Sequence, residues 1–151
     1  FGPCGMLGHS LGGAATLLAA EKVKTARSIV TLAAPSDPTH VRHLLSAAES
    51  SDDACVQVAL GGRPFPITKT FLADLDEHDA GAAAAELGRP LLVIHPVDDE
   101  VVPVTEGEEI WRRAAQPKAF MPLLGSDHLV SKREHADRVL QVVVDWFDAT
   151  L

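Results

Sequence analysis

The 151-residue chain is 46% apolar and 23% charged and carries a net charge of −8. That balance belongs to a globular domain able to bury a core, and it excludes disorder, which needs low hydrophobicity with high net charge. It also excludes a nucleic-acid partner, which needs clustered Lys and Arg, and no apolar run reaches the roughly 20 residues of a membrane-spanning helix. The start Phe1-Gly2-Pro3-Cys4-Gly5 has neither the positive charge nor the cleavage pattern of a signal peptide. Cys4 and Cys55 lie in unrelated contexts and form no disulfide framework, so the expected setting is reducing and cytoplasmic.

Along the chain, Gly5–Leu7 is the apolar end of a buried strand running into a glycine-rich turn. Leu11–Ala20 is rich in Ala and Leu and predicts a helix buried on most faces. Ser28–Leu32 is a β-branched run of strand length, closed by Ala34-Pro35-Ser36. Asp37-Pro38 combines an N-cap with proline at the first helical position and predicts a helix through Leu45. From Ser46 to Gly88 the strand–helix alternation stops. Cys55–Leu60 and Phe65–Thr70 predict a hairpin around Gly61-Gly62, followed by short helices near 71–77 and 79–87. This stretch reads as a lid over the mouth of a sheet.

Alternation then resumes. Pro90–His95 is a strand, and Thr105 with Glu108 predicts a capping box for a helix through Ala115. Ala119–Leu124 is the fourth core strand, and Ser131 with Glu134 predicts a second capping box. The last helix carries Val139, Leu140, Val143, Val144 and Phe147 at helical spacing. Strands alternating with helices predict an α/β fold, a mostly parallel sheet with helices on both faces.

Gly8-His9-Ser10-Leu11-Gly12 fits the pattern G-x-S-x-G between a strand and a helix. A sharp strand-to-helix turn strains the serine and aims its hydroxyl outward, and the flanking glycines spare the backbone a Cβ clash. The N–H of Leu11 would face a developing oxyanion from the helix start. A serine needs a base and an orienting acid, which in this architecture follow in the order Ser, Asp or Glu, His. Both belong in loops after strands, where the chemistry of open α/β sheets sits. His95-Pro96-Val97-Asp98-Asp99-Glu100 and Gly125-Ser126-Asp127-His128 are those loops. His128 is the candidate base, and spacing alone leaves the acid open among Asp98, Asp99 and Glu100. Asp127 reads as a turn residue. His9 reads as packing or lining the pocket, and His95 as a packed histidine at a strand end. His40, His43, His78 and His135 read as solvated, and no ligand set for a metal is complete.

These residues resemble the α/β-hydrolase family. Gly8-His9-Ser10-Leu11-Gly12-Gly13 is similar to its nucleophile elbow, and His95-Pro96-Val97-Asp98-Asp99-Glu100-Val101-Val102-Pro103 to its acid loop of the form H-G-x-x-D-x-x-V-P. The resemblance places the acid at Asp99, with Pro96 standing where glycine is usual. Gly125-Ser126-Asp127-His128 is similar to the histidine loop. A narrower resemblance rests on Ala33–Val41, Gly61–Phe65 and Asp127–Ser131. It points to bacterial hydrolases often fused to an OsmC-type domain, which is not present in this sequence. Complete members have several strands before the elbow, one of whose loops supplies a second oxyanion N–H. The resemblance therefore implies the C-terminal part of a longer protein, as a start without Met and Met6 inside a strand also suggest.

The expectation is one partial α/β-hydrolase domain over 1–151, with a core of 1–45 and 89–151 and a lid of about 46–88. Its expected activity is hydrolysis of a small-molecule ester or thioester through an acyl-Ser10 intermediate, without metal or cofactor. His9, Phe65 and Phe71 are the candidate substrate contacts, with Ile67 and Leu72 beside them, although each apolar lid residue equally suits a lid core. Arg63 reads as a solvated turn residue. The competing expectations are a non-catalytic binding protein on the same fold and a fragment inactive without its missing strands.

Overall fold

The computed structural model describes residues 2–39, 55–60 and 63–151. Its elements are β1 (Cys4–His9), α1 (Leu11–Ala20), β2 (Ala26–Leu32), β3 (Cys55–Leu60), β4 (Arg63–Thr68), α2 (Lys69–Asp76), α3 (Ala80–Glu86), β5 (Leu91–Pro96), α4 (Val104–Arg113), β6 (Lys118–Leu123) and α5 (Arg133–Thr150). Four strands pair in parallel in the order β1-β2-β5-β6, and β3 and β4 form a separate antiparallel hairpin.

The two inner strands are buried at every position except Arg27 because both faces of the sheet are covered. Alternate side chains divide between those faces. Ile29, Leu91 and Val93 pack with Ala14, Leu17 and Ala20 of α1, Ala80 and Ala84 of α3 and Ile110 of α4. Val30, Leu32, Leu92 and Ile94 pack on the other side with Leu123 and with Val139 and Val143 of α5. The small side chains of α1 and α3 let these helices lie close together on one face. Residues 80–86, expected within the lid, therefore belong to the layer that covers the sheet. The hairpin and α2 have an apolar cluster of their own, Ile67, Leu72 and Leu75, with Phe71, Val56 and Leu11 packed against it.

Several local expectations are corrected. The hairpin's second strand ends at Thr68, not Thr70, because the Thr68 hydroxyl caps α2 by accepting from the Phe71 N–H at 3.1 Å. Asp79 caps α3 in the same way through the Ala82 N–H at 2.7 Å. Neither expected capping box forms. Thr105 lies inside α4, which starts at Val104 behind Pro103. The Ser131 N–H donates to Asp127 Oδ1, and α5 begins two residues later behind Lys132. On α5, Leu140 and Val144 are exposed, and Val142, Trp146 and Phe147 complete the face that Val139 and Val143 bury. Val144 lies about 140° round the helix from Val139, beyond the edge of the covered face. Asp37 accepts from the Thr39 N–H and hydroxyl, as its capping role requires. The rest of the helix expected to Leu45, the histidines His40 and His43, and the Gly61-Gly62 turn lie outside the described residues. No helix among the described residues is long and apolar enough to cross a membrane.

The crossing of β1 and α1 depends on two glycines. A Cβ on Gly8 would overlap the Gly12 carbonyl oxygen and the Thr16 hydroxyl, and one on Gly13 would lie 2.6 Å from Ala34 Cβ. Gly12, expected to share this role, faces open space. Gly8→Ala should therefore cost about 1–3 kcal/mol by overpacking. Gly12→Ala should gain up to about 1 kcal/mol from reduced backbone entropy. Urea unfolding midpoints of the two variants check the pair.

Candidate active site

Ser10 stands between β1 and α1 at φ 54° and ψ −132°, a region of positive φ that costs a side chain roughly 1–3 kcal/mol. The turn is held from both sides. The Ser10 N–H donates to the Leu32 carbonyl at 2.8 Å, and the Ser10 carbonyl accepts from Gly13 at 2.8 Å. Leu11 opens α1, so its N–H is among those that a helix leaves without an internal acceptor.

The loop after β6 brings His128 to this turn, and the loop after β5 brings Asp99 to His128. The Asp99 Oδ2–His128 Nδ1 distance is 2.8 Å and the His128 Nε2–Ser10 Oγ distance is 2.9 Å. Since the carboxylate can only accept, Nδ1 carries the proton, and Nε2 accepts from the serine hydroxyl. Asp99 and His128 are both buried, whereas Asp98 and Glu100 are exposed. Asp99 Oδ1 accepts from the Val101 and Val102 N–H groups at 2.8 and 2.9 Å. Burial alone would raise the Asp99 pKa, but His128 and these two N–H groups together hold it below the usual carboxylate value. Asp99 is therefore an anion locked in one orientation.

No protein-family model matches the sequence, and no curated protein sequence matches it. Solved structures do. The esterase domain of a Rhodothermus marinus protein is 38% identical with a TM-score of 0.82, the match covering 93% of this chain and 58% of that one. Mouse α/β hydrolase domain-containing protein 10 is 19% identical with a TM-score of 0.75, covering 99% of this chain and 63% of that one. The monoacylglycerol lipase of Paleococcus ferrophilus is 15% identical with a TM-score of 0.70, covering 96% and 68%. The chain has the α/β-hydrolase fold. It spans about three fifths of the length of the first two of these proteins.

Within this α/β-hydrolase fold, further polar groups support the two loops. His95, fully buried, donates from Nε2 to the Val102 carbonyl at 2.9 Å and closes the loop that carries Asp99. Its Nε2 lies 3.8 Å from Asp99 Oδ2. Gly107 of α4 lies against the imidazole, where any Cβ would overlap Nδ1. Burial lowers the His95 pKa and keeps the ring neutral. Glu106, buried at the start of α4, accepts from the Ser36 N–H at 2.9 Å, the Ser36 hydroxyl at 2.6 Å and the Asp37 N–H at 3.3 Å. It joins α4 to the loop after β2. The sequence pattern signals this contact only through an acidic residue in the first turn of a helix.

The candidate substrate contacts fall into different settings. His9 is half-buried, and its Nε2 donates to the His128 carbonyl at 2.8 Å. Phe71 is half-buried beside Leu11, and the two line a cavity of about 300 Å³ with Pro38 and Leu75. Phe65 is exposed, whereas Ile67 and Leu72 are buried in the small cluster they form with Leu75. The Arg63 side chain lies outside the described residues. Asp127 serves its turn through Ser131.

The shifted groups His95 and Asp99 make stability depend on pH. Unfolded, His95 takes up a proton near its ordinary pKa of about 6.5, which the folded chain refuses. Its contribution is full above that pH and is lost as pH falls towards the lowered folded value. The loss from Asp99 starts lower, below about pH 4. The urea midpoint should therefore fall from pH 7.5 to pH 5, and fall less in His95→Gln. An equal fall in both proteins would place the dependence on another group.

Proposed function

We propose that this chain is a serine hydrolase that cleaves an ester or thioester through an acyl-Ser10 intermediate. The observation that carries the reading is the hydrogen-bonded line from Asp99 through His128 to the strained Ser10. The 38% identity to an esterase domain supports it.

In the proposed reaction His128 Nε2 takes the Ser10 proton as Oγ attacks the substrate carbonyl carbon. The new Oγ–C bond leaves a tetrahedral oxyanion, which the Leu11 N–H stabilises. Collapse restores the carbonyl and breaks the bond to the alcohol or thiol, which leaves with the proton from Nε2. Water then attacks the acyl-enzyme, again giving its proton to Nε2, and the acid departs as Ser10 recovers its hydrogen. Asp99 does not take a proton in these steps. It fixes the tautomer with Nδ1–H and stabilises the transient imidazolium. No metal or organic cofactor enters this chemistry.

The β3–β4 hairpin and α2 would form the lid over the mouth, with Phe71 beside Leu11 as an apolar contact for an acyl or alcohol group. Kinship with the bacterial hydrolases often fused to an OsmC-type domain, and a cytoplasmic setting for the two free cysteines, are the finer parts of the proposal.

A fluorophosphonate probe should label the full protein at Ser10, and Ser10→Ala should abolish both labelling and hydrolysis of a p-nitrophenyl ester. Asp99→Asn should lower kcat roughly 10³–10⁴-fold by favouring the wrong tautomer. A Ser10→Ala variant that still hydrolyses the ester would overturn the reading.

A further inference from the structure

His9 is the residue before Ser10, and it carries a bond that the reaction above does not use. Its Nε2–H donates to the main-chain carbonyl of His128 at 2.8 Å. The two rings lie 5.0 Å apart, tilted by 43°. β1 and β6 stand at opposite ends of the four-stranded sheet order, so this contact joins the end of one outer strand to the loop after the other. The loop after β6 needs such a hold. Gly125 and Val130 both have positive φ, and Leu124, Asp127 and Leu129 are exposed. Asp99 grips the His128 side chain at Nδ1 only, which leaves the ring free to follow any shift of its own backbone.

Resting on the proposed function, we infer that His9 is a positioning residue that sets the distance between the nucleophile and its base. Because its ring is attached one residue before Ser10, one hydrogen bond fixes the His128 backbone relative to the serine turn. The side-chain bond to Asp99 then fixes the ring. Together they hold His128 Nε2 at 2.9 Å from Ser10 Oγ. A displacement of about 1 Å at a reacting pair costs up to 10²-fold in rate, so a donor outside the chemistry has a large effect on it. His9 Nε2 is committed to His128 and is not a substrate contact.

The test compares three variants of the full protein. Gln places an N–H donor near the position of imidazole Nε2, Phe keeps the ring's bulk without a donor, and Leu removes both. His9→Phe and His9→Leu should each lower kcat and the rate of fluorophosphonate labelling by about 10–100-fold with KM nearly unchanged. His9→Gln should recover most of both rates. Full activity in His9→Phe would reduce the residue to packing and overturn the inference. A raised KM with kcat intact would make His9 a substrate contact and overturn it equally. Should His9→Leu fail to fold, the Phe and Gln pair decides the matter. These outcomes are separable from failure of the hydrolase reading, in which the unsubstituted protein would not label at Ser10.

Discussion

The backbone of β1 and the first turns of α1 pass so closely at Gly8 that no side chain fits between them. That approach lets the helix begin one residue after the strand ends, with Ser10 as the entire connection. The Thr16 hydroxyl donates to the Gly12 carbonyl at 2.7 Å across the same space. A longer turn would relieve the backbone of Ser10, but it would carry the serine away from the helix start and from the Leu32 carbonyl that anchors it. The strain at Ser10 is thus sustained by packing elsewhere, chiefly Gly8 against α1 and Gly13 against Ala34.

The remaining polar groups reach the turn because every core strand runs in the same direction. In a parallel sheet the loops that follow the strands gather at one end, and Ser10, Asp99 and His128 come from the loops after β1, β5 and β6. Positive φ occurs, as at Ser10, also at Ala33 directly after β2 and at Val130 in the loop after β6. Regular structure lies below, in β2 and β5, where apolar residues fill both layers. The sheet supplies rigidity, and the loops spend part of it on geometry that would not persist alone.

The fold was legible because both periodicities were strong. The β-branched run at 28–32 and the apolar run at 90–95 have the length of buried strands, and the Ala- and Leu-rich segment at 11–20 has the composition of a covered helix. The serine turn was legible for a local reason, the small residues that so close a crossing demands. Spacing located both partner loops, but it left Asp98, Asp99 and Glu100 equivalent. Their difference lies in which carboxylate meets the N–H groups of Val101 and Val102, a property of the folded loop. The capping boxes misled because the same Ser/Thr-x-x-Glu pattern arises wherever polar residues precede a helix. Pro103 precedes one helix start, and at the other Asp127 accepts from Ser131 ahead of Lys132, which precedes the helix. Glu106 and His9 make long-range contacts, to Ser36 and His128, that no local pattern encodes.

His95 and Asp99 show how burial treats two ionisable groups in one loop. Both are desolvated, and desolvation favours the neutral form of each. His95 has one acceptor, the Val102 carbonyl, which a neutral ring already satisfies through Nε2–H, so it stays uncharged. Asp99 has three donors, from His128, Val101 and Val102, and every one rewards a negative charge. The carboxylate therefore remains ionised despite its burial. The reverse arrangement would not serve the proposed chemistry. A protonated Asp99 could donate to Nδ1 and thereby force the proton onto Nε2, the atom that must accept from Ser10. Keeping Asp99 ionised thus leaves Nδ1 as the donor and Nε2 as the acceptor toward Ser10, and the backbone N–H groups of the loop achieve this without a further charged side chain.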